Sequence, residues 1–278
     1  MFIFVGNNPK NKMLFIQKPQ RIICLTEEGT ELLYAAGLQD RLVGISGFTY
    51  RPPQARKEKP KICTFLDAKF DEIDQLQPDL IVGYSDLQAP IAKELIERGY
   101  PVHIFNHHTL EGIFGYILQF FGLIGEQSIG QKLIDAYQRQ LEDLHNRTNQ
   151  YHKKPNVFFE EWYDPIIAAS TWVQELIELL GGEISFPDKK MEKLAKNRIL
   201  LHEEVVQKNP DILIGSWCGK MFKPEEVKKR EEFDRVNAVK NDHLYEIKSE
   251  LILQPGPAAL TEGAKEIFRI IEHFHRSQ

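Results

Sequence analysis

Hydrophobic positions along the first hundred residues alternate between two rhythms. Continuous apolar runs at 21–25 (RIICL), 42–46 (LVGIS), 61–65 (KICTF), 79–84 (DLIVGY) and 102–105 (VHIF) are separated by amphipathic stretches such as 29–37 (GTELLYAAG), residues 71–76 and 89–97. Short uninterrupted apolar runs predict strands buried on both faces, and helices between them predict a parallel sheet covered on both sides. From about 126 to 152 the pattern changes: there is no Pro and a single Gly, while Ile129, Leu133, Ile134, Tyr137, Leu141 and Leu144 recur at three- and four-residue steps. That spacing predicts one amphipathic helix, nearly 40 Å long at ~1.5 Å per residue, which would act as a strut. After Lys154-Pro155 the alternation resumes, with strands expected at 156–162, 211–217 and 243–247, helices at 171–182 and 223–233, and a last helix from near Pro257. The expected fold class is α/β, two Rossmann-like lobes with parallel sheets: an N-terminal lobe over 1–124, a linking backbone helix over 125–153 and a C-terminal lobe over 154–278.

One segment occurs twice. "DEIDQLQPDLIVGYSDL" begins at Asp71 and "HEEVVQKNPDILIGSWCGK" at His202; each reads as a short helix, a Pro-Asp break, an apolar run and a glycine. The spacing is a domain's length, too long for a solenoid and suited to one helix–strand unit used once per lobe.

Composition narrows the function. In a chain of 278 residues with 42% hydrophobic and 27% charged residues, two soluble lobes fit comfortably. A net charge of −5 leaves no basic stripe for phosphates, so nucleic acid is not an expected partner. Cys24, Cys63 and Cys218 are an odd number without C-x-x-C spacing, which indicates neither a disulfide framework nor a zinc knuckle. The opening "MFIFVGNNPKNKMLF" lacks the long apolar core of a leader. The chain as given is therefore expected to be cytoplasmic, and periplasmic or otherwise extracytoplasmic if its start is mis-called or trimmed.

In parallel α/β sheets ligands lie beyond the carboxyl ends of the strands, so the residues that follow each apolar run are the binding candidates. These are Thr26, Glu27, Phe65, Tyr84, His107, Trp162, Trp217 and Cys218. Large rigid rings on facing walls suit a bulky planar ligand.

The segment "RIICLTEEGTELLYAAGLQDRLVGIS", followed by "RPPQA", "FDEIDQLQPDLIVG", "WVQELIELLGG", "HEEVVQKNPDILIG", "AVKNDHLYEI" and "QPGPAALTEGAKEI", resembles the class III ABC-transporter solute-binding proteins with a helical backbone, and is most similar to their cobalamin (vitamin B12)-binding group. The resemblance spans nearly everything after residue 20. It implies a non-enzymatic binding protein that holds cobalamin or a similar metal chelate between lobes that move little and, if exported, hands it to an ABC importer. It implies no intrinsic cofactor, a monomer, and cleft contacts at Thr26 to Thr30, Tyr50, Phe65, Trp217, Glu250 and Gln254. It also implies permease docking through Asp71 or Glu72 and through Glu203. The first-turn position of these acids equally suits the helix dipole.

Other ligands on the same fold remain open: haem, a ferric siderophore, or a Zn or Mn ion held by histidines. An enzyme would need a nucleophile such as Cys218 with His107 or His108 as base, and no local signature accompanies that pair. Glu160 and Glu161 are strand neighbours expected to point to opposite faces, so that only one enters the cleft.

Overall fold

The computed structural model describes residues 18–277; the opening residues read above for a leader lie outside the described residues. The first lobe is built on five strands, β1 (Ile22–Cys24), β2 (Leu42–Ser46), β3 (Lys61–Cys63), β4 (Leu80–Tyr84) and β5 (Val102–Phe105), in the order β3-β2-β1-β4-β5. Every pairing is parallel, as the continuous apolar runs require. The chain runs outward from β1 to β3, then crosses back to place β4 on the other side of β1. The sheet therefore switches direction between β1 and β4, which opens a crevice beyond their carboxyl ends.

Helices α1 (Glu27–Ala35), α2 (Ala55–Glu58), α3 (Phe70–Leu76) and α4 (Ala89–Glu97) connect these strands, and α5 (Leu110–Leu123) follows the last. The segment of α5, LEGIFGYILQFFGL, is apolar on most of its circumference, so its periodicity is muted and the sequence pattern does not announce it. It is buried because a second helix lies on it: α6 (Gln127–Thr148), 22 residues and about 33 Å at 1.5 Å per residue. This is the expected strut, ending four residues early at a turn that precedes Lys154-Pro155. The contact is close at Gly130, where a Cβ would stand 2.7 Å from Phe121 Cβ. Gly130→Ala should destabilise the fold by roughly 1–3 kcal/mol through forced separation of α5 and α6, a difference thermal unfolding would register.

The second lobe contains β6 (Asn156–Tyr163), β7 (Ile166–Ala168), β8 (Glu183–Ile184), β9 (Ile199–Leu200), β10 (Ile212–Gly215) and β11 (Leu244–Glu246), in the order β11-β10-β6-β7-β9 with β8 also on β6. Here the all-parallel expectation is corrected. β6 and β10, and β10 and β11, pair in parallel, but β7 lies antiparallel to β6 and β9 antiparallel to β7. The physical cause is the turn Tyr163-Asp164-Pro165-Ile166, which folds β6 straight back on itself; strands joined so closely can only run antiparallel. The charged helix expected over 223–233 is likewise shorter. Between α7 (Thr171–Leu179), α8 (His202–Lys208) and the strands, α9 (Pro224–Lys228), α10 (Asn237–Lys240) and α11 (Ser249–Ile252) are one-turn elements. A π-helical turn at Ala259–Gly263 then leads into α12 (Ala264–Arg276).

The duplicated segment proves to be one device. α3 ends at Gln77 and α8 at Asn209, both with φ of 44°, and each is followed by Pro-Asp. Asp79 accepts the backbone N–H groups of Gln20 and Arg21 at 2.7 and 2.8 Å, just before β1. Asp211 accepts that of Asn156 at 3.1 Å, at the start of β6. In each lobe the aspartate thus ties the incoming strand to the central one, setting which strands flank the crevice.

One apolar core runs through both lobes, from Ile22, Leu32 and Phe121 across Leu141 and Leu144 of the strut to Trp172, Leu176, Ile214 and Ile271. Burial of that continuous surface is what holds the lobes at a fixed relation.

Candidate functional site

The site begins where β1 ends. Thr26 is extended and occupies the N-cap position of α1 without a side-chain capping bond; the first turns of the helix carry Glu27, Glu28, Thr30 and Glu31, all buried. Three carboxyl groups on one buried turn are costly unless they are partnered or protonated. Glu31 is paired: Oε1 takes Arg51 Nε at 2.6 Å and Oε2 takes the backbone N–H of Ala258, from the other lobe, at 3.1 Å. Glu27, 3% exposed, accepts only the Tyr50 N–H at 2.8 Å, and burial pushes its carboxyl up to about 8. Glu28 is 1% exposed with both oxygens lacking a hydrogen-bond partner, and burial raises it to about 7.

Around this turn the first lobe presents a wall of rings. Tyr50 is 52% exposed with the Arg56 guanidinium 5.0 Å over its ring, Phe48 and Leu66 also face solvent, and Phe65 is half-buried, its carbonyl facing Gln88 Nε2 at 3.4 Å. Tyr84, at the end of β4, donates to the His107 carbonyl at 2.8 Å.

The opposite wall comes from the second lobe. Glu160 and Glu161 do point apart. Glu160, fully buried, takes two bonds from Arg230 at 2.5 and 2.8 Å and one from Trp217 Nε1 at 2.9 Å. Glu161 takes Arg198 at 2.7 Å and Ser170 Oγ at 2.7 Å. Trp217 is only 2% exposed and packs between Tyr163 and Phe222 at ring distances of 4.9 and 5.0 Å. It lies inside the lobe and supports the wall from behind, so the expectation that its ring stacks on a ligand is corrected for this conformation. An apolar run followed by Trp does not reveal whether the ring turns outward or back under its own strand. Trp162 is half-buried, with Nε1 bonded to the Asp164 carbonyl at 2.9 Å. Cys218 reaches the surface, and Glu250 and Gln254 are half-buried on the segment that leads to Pro255.

The two walls meet. His107 Nε2 contacts the Pro255 carbonyl at 2.7 Å, Arg51 reaches Glu262 at 3.0 Å, and the first turn of α5 donates from Leu110 N–H to Glu175 at 2.7 Å. Charges are also felt across the gap: Glu250 acts on Glu27, Glu27 on Cys218, and Glu161 and Arg198 on Tyr84. These couplings bring Glu27 and Tyr84 of the first lobe near Glu250, Cys218 and Glu161 of the second across the interlobe crevice, the candidate slot, with Thr26 next to Glu27 at the start of α1. Asp71, Glu72 and Glu203 stand apart from it, exposed in the first turns of α3 and α8. A separate cavity of about 450 Å³ lies outside the slot, between α4 and β5, lined by Ala89, Ala92, Ile96 and Ile104.

Chemistry of other kinds is poorly served by these groups. Partial burial and the Glu161 and Glu27 carboxylates raise the Cys218 thiol above its ordinary value, the opposite of nucleophile activation. Its alkylation by iodoacetamide should be slower than that of free cysteine at pH 7.5 and should accelerate steadily above pH 9; a fast, pH-flat reaction would show an activated thiolate. His107 is spent on Pro255, and burial pushes its imidazole down to about 4. Among the described residues no group of three or more His, Cys, Asp or Glu converges as a metal site. The sequence reading missed Arg198, Arg230 and the 255–262 strap, since only the tertiary fold brings Arg230 beside Glu160.

Comparison with known proteins fits this geometry. A family model described as periplasmic binding protein matches residues 22–251. The vitamin B12-binding protein of Vibrio campbellii is 30% identical over 258 residues, covering 92% of this chain and 89% of that one. An uncharacterised ABC transporter substrate-binding lipoprotein of Bacillus subtilis is 24% identical over 274 residues, covering 94% and 83%. Among solved structures, a possible iron-binding, periplasmic solute-binding protein from Staphylococcus epidermidis superposes with a TM-score of 0.80 at 26% identity, covering 92% of this chain and 99% of that one.

Proposed function

Because this chain belongs to the periplasmic binding protein family, we propose that it is a non-enzymatic binder that holds cobalamin, or a corrinoid much like it, in the slot between its lobes. What supports the reading is a pair of α/β lobes joined by a common core, with Tyr50, Phe65 and Tyr84 of the first lobe and Trp162, Cys218 and Glu250 of the second, all at least partly open to solvent, as the proposed contacts. A wide planar ligand gains contact area from rings at small entropic cost, while a few polar groups set its orientation. The vitamin B12-binding relative supports this ligand class.

Delivery follows from the same reading. The substrate-binding lipoprotein relative supports an ABC importer as partner and an extracytoplasmic workplace. Asp71 or Glu72 on α3 and Glu203 on α8, at matching places in the duplicated unit, would register the two lobes on a permease by rim charge.

The test is a titration of the purified chain with cyanocobalamin, haemin and a ferric siderophore, with the visible spectrum and mass of any co-purifying molecule. Saturable one-to-one binding of cyanocobalamin, tighter than the other two, supports the reading; preferential binding of haemin or iron chelate, or of none, overturns it.

A further inference from the structure

The slot holds more carboxyl groups than cations able to meet them. Three arginines beside it are paired with carboxylates: Arg51 with Glu31 at 2.6 Å and Glu262 at 3.0 Å, Arg198 with Glu161 at 2.7 Å, and Arg230 with Glu160 at 2.5 Å. Arg56, 5.0 Å over the Tyr50 ring, donates to the Gly47 and Thr49 carbonyls at 2.6 and 2.9 Å. Lys220 lies 3.4 Å over the Tyr163 ring and 3.5 Å from Glu226. Lys193 stands at the other end, where its charge bears on His108. Against these, Glu27 has one backbone N–H, and both oxygens of Glu28 are buried without a partner. Glu250 adds its charge to Glu27 from the opposite wall. Among the described residues none of these three meets a cation.

We infer that Glu27, backed by Glu28 and Glu250, is a specificity-determining residue that admits a ligand edged with amide N–H or ammonium groups and turns away one fringed with carboxylates. The inference rests on the corrinoid reading above and deepens it. An amide edge donates hydrogen bonds to carboxyl oxygens that have spare lone pairs. A carboxylate edge brings like charge into a partly desolvated turn whose neighbouring cations, Arg51 and Arg56, are already bonded elsewhere, and such repulsion is how a site rejects a near-isostere.

The groups facing Glu27 are Glu28 and Glu31 on its own helix, the Tyr50 N–H, and Glu250 and Cys218 from the other lobe. Burial and these acids hold the Glu27 carboxyl near 8, so it ionises as pH rises past that value. Rejection of carboxylates therefore strengthens from pH 6 to pH 9.

The experiment titrates the full chain with cyanocobalamin and with its monocarboxylic acid, in which one side amide is hydrolysed, at both pH values. The amide form should bind more tightly by about tenfold at pH 9 and by less at pH 6. Glu27→Gln should bring the ratio towards one and flatten its pH dependence, with thermal unfolding confirming the fold. Equal affinities in the unaltered chain, or an unchanged ratio in both Glu27→Gln and Glu250→Gln, would overturn this inference and leave the corrinoid reading standing. Binding of neither corrinoid would overturn both.

Discussion

Arg230→Met lowers the stability of the second lobe by roughly 3–5 kcal/mol, because it leaves the Glu160 carboxylate buried and unpaired. Glu160 is fully buried, and its two salt-bridge bonds both come from Arg230. The remaining contact, Trp217 Nε1, is a neutral donor at 2.9 Å and cannot offset a lost guanidinium. Burial is already the dominant influence on Glu160 and pushes its carboxyl upward. In the variant the folded-state value rises further above that of the unfolded chain, so the native state binds the proton more readily. Stability then falls as pH climbs from the unfolded value through the folded one. Thermal unfolding of the variant should show a smaller deficit at pH 5 than at pH 8. A deficit independent of pH would mean that lost packing, and not an unpaired charge, is the cause.

Trp217→Ala and Tyr50→Ala should separate stability from binding. Trp217 is fully enclosed by Tyr163 and Phe222, so removing its ring leaves a cavity and a loss of roughly 3–5 kcal/mol. Any loss of ligand affinity in that variant follows from a wall that has lost its support. Tyr50 stands half in solvent with few contacts to lose. Tyr50→Ala should leave the unfolding midpoint nearly unchanged and weaken cyanocobalamin binding by about tenfold to a hundredfold, as truncation of a central aromatic contact does. Calorimetry on both variants reads the two effects; an undiminished affinity in Tyr50→Ala would remove that ring from the site.

The fold was legible wherever local pattern and tertiary role coincide. Buried parallel strands show as continuous apolar runs, and the strut shows because Leu133, Tyr137, Leu141 and Leu144 keep one face. α5 was hidden because a helix that is apolar on most of its circumference, its exposed Leu118 and Leu123 included, has little polar face to mark its period. β7 and β9 were hidden because two- and three-residue strands carry almost no pattern. For the candidate site, strand ends pointed to Thr26, Glu27, Tyr84 and Cys218, which lie just beyond β1, at the end of β4 and just after β10. Side-chain direction was not legible: Trp217 and Trp162 follow similar runs, yet one is sealed in the core and the other is half-exposed. The arginine partners of Glu160 and Glu161 come from positions far along the chain, and nothing in their local sequence distinguishes them from solvated arginines.

Where a ligand sits decides between a cleft binder and any other reading. Hydrogen–deuterium exchange of the chain with and without saturating cyanocobalamin should show protection in both walls at once, around residues 24–30 and 47–51 of the first lobe and 217–221 and 250–256 of the second, with α6 unchanged. Protection confined to one lobe, or to the cavity between α4 and β5, would contradict the cleft reading.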